Sequence, residues 1–121
     1  DIRATIGRAA EFLLIHHIYK RSHNLARVAK PGWRKFGFPL MYQTDALEIL
    51  DMLTALGIKD SRMDEALNLV ISKQDAMGRW RLENSYASDR LLIPIGHQGE
   101  QSKWITLRAM RVLKRYATAG A

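Results

Sequence analysis

The chain has 121 residues, of which 47% are hydrophobic and 26% charged, as is usual for a domain that buries its own core. It contains no cysteine, which excludes disulfides, thiol nucleophiles and cysteine-bound zinc. Its net charge is +7, and its longest apolar run, at 12–15, is far too short to cross a membrane. We therefore expect one domain without a transmembrane segment, located in the cytoplasm.

Two helices are predicted in the first half of the chain. Residues 2–20 carry apolar side chains at helical spacing, with His17 on the apolar face. A second helix is predicted over 42–56, where Gly57 ends it. Most of its circumference is apolar, so we expect it to pack against more than one neighbour.

Two further helices are predicted in the second half. One spans 61–74 with Asp60 as its N-cap, and the other spans 102–116 with Ser102 as its N-cap. Only a few residues separate the second helix from the third. These two helices are therefore predicted to form an antiparallel hairpin.

The other two connections, 21–41 and 75–101, are long for a compact domain. Each contains proline, glycine and aromatic residues, which predicts ordered loops that could hold one-turn helices or a brief β-hairpin. Each follows a similar helix, which indicates an internal repeat. Repeat one would cover 1–57 and repeat two 58–121, with His17 at the position equivalent to Gln74.

The segment that begins at Gln74 and ends at Trp80 combines three residue types with separate tasks. The Gln74 amide can both donate and accept, so it can bind the free backbone groups of a helix end. Gly78 can take the positive φ that a chain needs on leaving a helix. Trp80 offers a large flat surface that can pack over the turn.

This order of residues resembles the second half of the glutamine–tryptophan repeat of the terpenoid cyclase and protein prenyltransferase superfamily. The segments 73–83 and 102–113 also resemble a group of uncharacterised prokaryotic proteins with prenyltransferase-like repeats. The resemblance implies an all-α fold of antiparallel helical-hairpin repeats, the α/α toroid, in which Gln74 and Trp80 tie one repeat to the next. Two repeats do not close a toroid. The chain is thus expected to be an incomplete toroid: the C-terminal part of a longer chain, an open solenoid-like piece, or one part of an oligomer.

The catalytic motifs of that superfamily are missing from this sequence. It has neither Asp-x-Asp-Asp nor any other aspartate-rich motif. No catalytic residue, metal or cofactor is therefore expected. A metal site built from His23, Asp45 and Glu48 is the alternative, although the latter two are better explained as acidic residues at a helix N-terminus.

The sequence favours a binding module without catalysis of its own, which takes a hydrophobic or prenyl-like ligand or a protein partner. The predicted apolar groove is lined by Phe12, His17, Tyr42, Trp80 and Trp104. Two alternatives stay open. One is a fragment of a terpenoid-processing enzyme whose catalytic residues lie outside this segment, and the other is nucleic-acid binding through the basic loop 20–35 and the helix 102–116.

Overall fold

The computed structural model describes residues 1–40, 44–85 and 95–119, which fold into helices and one small sheet. The α-helices are α1 (Ile2–Ile15), α2 (Ala46–Ala55), α3 (Asp64–Ser72) and α4 (Lys103–Thr118). The strands are β1 (Lys20–Arg21) and β2 (Asn24–Val28), and the 3-10 turns are Pro31–Arg34 and Ser61–Met63. The prediction of an all-α toroid is therefore wrong, because the connection after α1 forms an antiparallel sheet and the fold is mixed.

The first helix ends earlier than predicted. His17 and Ile18 have φ angles of 46° and 72°. A right-handed helix requires negative φ, so the helix cannot continue through these residues. The Ile18 N–H donates to the Leu13 carbonyl at 3.1 Å and the His17 N–H donates to Leu14 at 2.9 Å. This is the Schellman pattern, in which the residue with positive φ that follows the helix cap, here His17, is usually glycine. Burial of the whole Ile18 side chain offsets part of the backbone strain.

The chain leaves this turn directly into the β-hairpin. Lys20 lies opposite Val28 and Arg21 opposite Asn24, with an irregularity in register between the two pairs. Most of β2 is exposed. The pairing continues at the base of the hairpin, where the Ala29 N–H donates to the Tyr19 carbonyl at 2.9 Å.

Helix α2 lies at the centre of the core and packs against both α3 and α4, which confirms the predicted contact with more than one neighbour. It begins at Ala46 rather than at 42, because Asp45 is its N-cap and accepts a hydrogen bond from the Glu48 N–H at 2.7 Å. Its buried residues are Ala46, Leu47, Ile49, Leu50, Leu53 and Thr54.

The two predicted caps are confirmed. Asp60 accepts from the Arg62 N–H at 2.9 Å, and Ser102 accepts from the Ile105 N–H at 3.3 Å. A 3-10 turn, Ser61–Met63, lies between the first of these caps and α3.

Helix α1 buries little surface against the rest of the protein. Only Ala10 and Leu14 are buried, and the helix contacts the turn Ser61–Met63. An ion pair reinforces this contact, since the Arg62 guanidinium donates to both carboxylate oxygens of Glu11 at 2.8 and 3.0 Å. The opposite face of α1 is left exposed.

Candidate functional site

The turn after α3 is organised by Asp75. Its Oδ1 accepts from the backbone N–H groups of Met77 at 2.9 Å and Arg79 at 3.0 Å, while its own N–H donates to the Arg79 carbonyl. These backbone donors, with the amide of Gln101, hold the pKa of Asp75 below its usual value. Gly78 has a φ of 78°, as predicted, so the turn closes without a strained side chain.

The residue predicted to bind this helix end does not do so within the described chain. Gln74 is exposed and its side chain makes no hydrogen bond to a described residue; its Nε2 lies beside Gly78. Asp75 makes the bonds instead. An aspartate two residues before a turn N–H commonly bonds to it, and this signal could have identified Asp75 from the sequence.

Trp80 fastens α3 to α4. Its side chain is only 1% exposed, and its Nε1–H donates to the Val70 carbonyl near the end of α3 at 2.7 Å. Its backbone N–H donates to the Thr106 hydroxyl at 3.0 Å, and its carbonyl accepts from the Ser102 N–H at 2.8 Å. The Val70 carbonyl also accepts from the Lys73 N–H at 3.2 Å, so the indole adds a second hydrogen bond at this helix end.

The other predicted groove residues that the structure describes lie in separate places. Phe12 is 61% exposed on α1 and contacts only the ring of His16 among the described aromatic residues, at 4.5 Å between centroids. His17 lies 3.3 Å from a carboxylate oxygen of Glu65. Trp104 stacks on Phe38, and Tyr42 lies outside the described residues. Neither of the two grooves described below is lined by any of the five predicted residues.

The larger groove lies beside the first turns of α4 and has a volume of about 720 Å³; we call it the α4 groove. Its apolar part includes Leu107 and Met110, which are 58% and 57% exposed. Among the described residues, its charged residues are Arg79 and Lys103, and no described carboxylate lines it. The full lining is Arg79, Ile95, Gly96, Gln101, Ser102, Lys103, Thr106, Leu107 and Met110.

The polar end of the α4 groove is held in place by Gln101. The Gln101 amide donates to Asp75 at 2.7 Å, and its carbonyl oxygen accepts from the Arg79 guanidinium at 3.2 Å. Lys103 makes no ion pair within the described chain, and its Nζ lies 5.0 Å from the centre of the Trp104 ring. Two cations are therefore available to an anionic group beside the apolar surface.

The smaller groove, between α3 and α4, has a volume of about 360 Å³. Its apolar residues include Leu67, Ile71 and Leu113. It also contains the Asp64 carboxylate, which accepts a hydrogen bond from the Tyr116 hydroxyl at 3.2 Å. It is smaller than the α4 groove and does not favour an anion.

A polar cluster surrounds the N-terminus of α2. Asp45 is 1% exposed, and its second oxygen accepts from the Gly37 N–H at 2.9 Å. Burial raises the pKa of Asp45 to about 6, although the hydrogen bonds from the backbone at Gly37 and Glu48 and the nearby charge of Arg108 act in the opposite direction. Both carboxylate oxygens are occupied, so Asp45 is the N-cap of α2, whereas the sequence indicated only an acidic residue near a helix N-terminus.

Two donors next to this cluster have no hydrogen-bond partner among the described residues. They are Nε1 of Trp104 and Nη1 of Arg108, one turn apart on α4. The Phe38 ring stacks on Trp104 at 5.1 Å with an interplanar angle of 7°, and the Arg108 guanidinium lies 5.8 Å from the centre of the same ring. The aromatic and cationic surfaces thus pack on each other.

The remaining expectations concern metals and membranes. Within 1–40, 44–85 and 95–119, no three histidine, aspartate or glutamate side chains come together as metal ligands, so His23, Asp45 and Glu48 form no such group. None of the helices in the described ranges is long and apolar enough to span a bilayer.

The predicted nucleic-acid surface divides into two parts with different surroundings. On α4, the guanidinium groups of Arg111 and Arg115 both bind Asp51, each at 2.7 Å. By contrast, the exposed cations between positions 21 and 35 make no ion pair with a described residue. Two of the cations on the helix are thus neutralised, whereas the exposed cations of the loop are not neutralised by any described residue.

No family model, curated protein or solved structure matches the chain.

Proposed function

We propose that this chain is a binding module that holds a long apolar ligand with an anionic head group, such as a prenyl phosphate, in the α4 groove. The observation that supports the proposal is the combination, in the described lining, of exposed Leu107 and Met110 with two cations and no carboxylate. The volume of the groove is within the range of about 300–1,000 Å³ that small-molecule sites occupy.

The lining accounts for both ends of such a ligand. The thioether of Met110 and the side chain of Leu107 supply deformable apolar contact, which suits a chain with many conformations. Lys103 and Arg79 favour the head group by charge. The amide of Gln101 already binds Asp75 and Arg79, so it positions the Arg79 guanidinium beside the head group.

Farnesyl phosphate and farnesol form the matched pair of ligands for the test, since they share the apolar chain and differ in charge. Thermal unfolding and titration calorimetry would measure both. We expect farnesyl phosphate to bind more tightly and to raise the melting temperature more, because a ligand that binds only the folded state stabilises it.

Three variants assign the binding to the groove. Lys103→Glu should remove the preference for the phosphate, and Met110→Ser should weaken both ligands. Ile71→Ser is the control, because Ile71 is 52% exposed in the smaller groove. If neither ligand binds, or if Ile71→Ser weakens binding as much as Met110→Ser, the proposal fails.

A further inference from the structure

Almost all of the net charge lies at one end of the chain. Residues 1–35 contain eight lysine and arginine residues against two acidic residues, a net charge of +6 out of the +7 of the whole chain. Residues 36–121 carry 11 basic and 10 acidic residues and are nearly neutral. The first 35 residues therefore produce a positive potential that the rest of the chain does not cancel.

The cations of this end are exposed and free of ion pairs with described residues, apart from Lys20, which binds Glu65 at 3.0 Å. Elsewhere in the described chain, several basic residues are neutralised: Arg62, Lys73, Arg111 and Arg115 bind carboxylates. The free cations of the hairpin and the turn that follows it are Arg21, Arg27, Lys30, Arg34 and Lys35.

The outer face of α1 adds apolar surface to this charge. Ile2 is 79% exposed, Phe12 61% and Ile6 41%. At about 100° per residue, Phe12 lies opposite the buried Ala10 and Leu14. Ile2 lies about 100° from them and Ile6 about 60° from them, and we call the side of Phe12 and Ile2 the outer face. Arg8 falls at one edge of this apolar face, where its long cationic side chain can extend toward lipid head groups, whereas Arg3 lies in the direction of Ala10 and Leu14.

We infer that the outer face of α1 and the basic segment 21–35 form a surface that binds an anionic lipid bilayer. The apolar side chains of α1 would enter the boundary between head groups and acyl chains, while the free cations meet the negative head groups. The inference does not rest on the α4 groove, whose lining residues all lie beyond position 78.

Two observations favour a bilayer over other occupants. A second copy of the chain would bring one +6 surface against another, which repulsion opposes. Nucleic acid would use the cations and could stack on Phe12, but it would leave Ile2 and Ile6 in water, since stacking needs aromatic side chains. A bilayer offers negative head groups to the cations and an apolar interior to the aliphatic side chains.

Vesicle flotation tests the inference with the whole chain. One set of vesicles would be phosphatidylcholine alone, and the other would contain about 30% phosphatidylglycerol to supply negative head groups. We expect binding only to the anionic set. It should weaken strongly as the salt concentration rises from about 0.1 to about 0.5 M, because salt screens exposed charges.

Variants separate the two parts of the surface. Arg27→Glu with Lys30→Glu should weaken binding about 25-fold or more, since each basic residue near an anionic membrane contributes about fivefold. Phe12→Ser should weaken it about tenfold by removing apolar burial. Lys114→Glu and Met52→Ser are the controls, because both residues are exposed elsewhere, and they should change binding less than about twofold.

Three results would overturn the inference. The first is equal binding to neutral and anionic vesicles. The second is tighter binding to DNA or RNA oligonucleotides than to anionic vesicles, with Phe12→Ser having no effect on either. The third is a concentration-dependent dimer that Phe12→Ser dissociates, seen by sedimentation. Circular dichroism and thermal unfolding of each variant would establish that a loss of binding is not a loss of folding.

Discussion

Single residues in unusual surroundings shape the local behaviour of this protein, and Asp45 is one of them. A buried carboxylate loses hydration, which favours its neutral form, yet its two oxygens accept backbone hydrogen bonds that favour the charged form. Burial is the larger effect, and the pKa is raised to about 6. The cap therefore takes up a proton in a pH range where ordinary aspartates stay ionised.

The raised pKa predicts how stability depends on pH. Because the pKa of Asp45 is about 6 in the folded state and 3.8 is its usual value, the folded state binds a proton first as pH falls. The free energy of unfolding should rise as the pH falls from 7 through 6, and the rise should reach up to about 3 kcal/mol as the pH nears 4. Urea denaturation at steps across this range would measure it.

Asp45→Asn provides the comparison. An amide has one acceptor oxygen, so the variant loses one of the two backbone hydrogen bonds and starts from a lower stability. It should nevertheless lack the rise between pH 7 and 4. If the stability of the two proteins changed with pH in the same way, Asp45 would not titrate in this range.

His17 is the second unusual residue, since it has a positive φ although it carries a side chain. A left-handed conformation costs about 1–2 kcal/mol for a residue other than glycine. We predict that His17→Gly is more stable than His17→Ala by about 1 kcal/mol. Both variants lose the contact with Glu65, so the difference in their urea midpoints reports the backbone alone. Equal urea midpoints for His17→Gly and His17→Ala would contradict the claim that the backbone is strained at this position.

At the scale of elements, Trp80 connects two helices that have no short link in the sequence. Its indole N–H binds the end of α3, while its backbone binds Thr106 and Ser102 at the start of α4. Trp80→Phe should lower the free energy of unfolding by about 2–4 kcal/mol, because it leaves a cavity and removes the indole's hydrogen bond to the Val70 carbonyl.

Met77→Ala in the same turn is the matched control. Met77 is 70% exposed, so its truncation should change stability by less than about 0.5 kcal/mol. Denaturant titrations would measure the free energy of unfolding of both variants. A loss below about 1 kcal/mol for Trp80→Phe would indicate that the hydrogen bond to α3 contributes little.

The sequence predicts elements well where local chemistry sets them. Asp60 and Ser102 were identifiable as caps because short polar side chains there precede apolar periodicity. The end of α1 was not, since nothing in the preferences of isoleucine indicates a positive φ at Ile18. The hairpin lacks the Asn-Gly or Asp-Gly turn that normally marks one, so its place in the loop could not be assigned.

In the predicted site, too, the sequence identifies individual residues but not the residues that they contact in the fold. Trp80 and Trp104 stand out by residue type, but their partners, Val70 and Phe38, are set by tertiary packing. The α4 groove was missed because Leu107 and Met110 have the composition of a buried stripe. Only the fold shows that this side of α4 faces solvent.

At the scale of the whole molecule, the unequal distribution of charge has a consequence before any contact forms. A net charge of +6 in residues 1–35 and +1 in the remainder gives the protein a large electric dipole moment. In the field of a negative object the dipole experiences a torque, so the protein approaches with its N-terminal end foremost. Capture would then be faster than random orientation allows, and this advantage would disappear as added salt shortens the reach of the field.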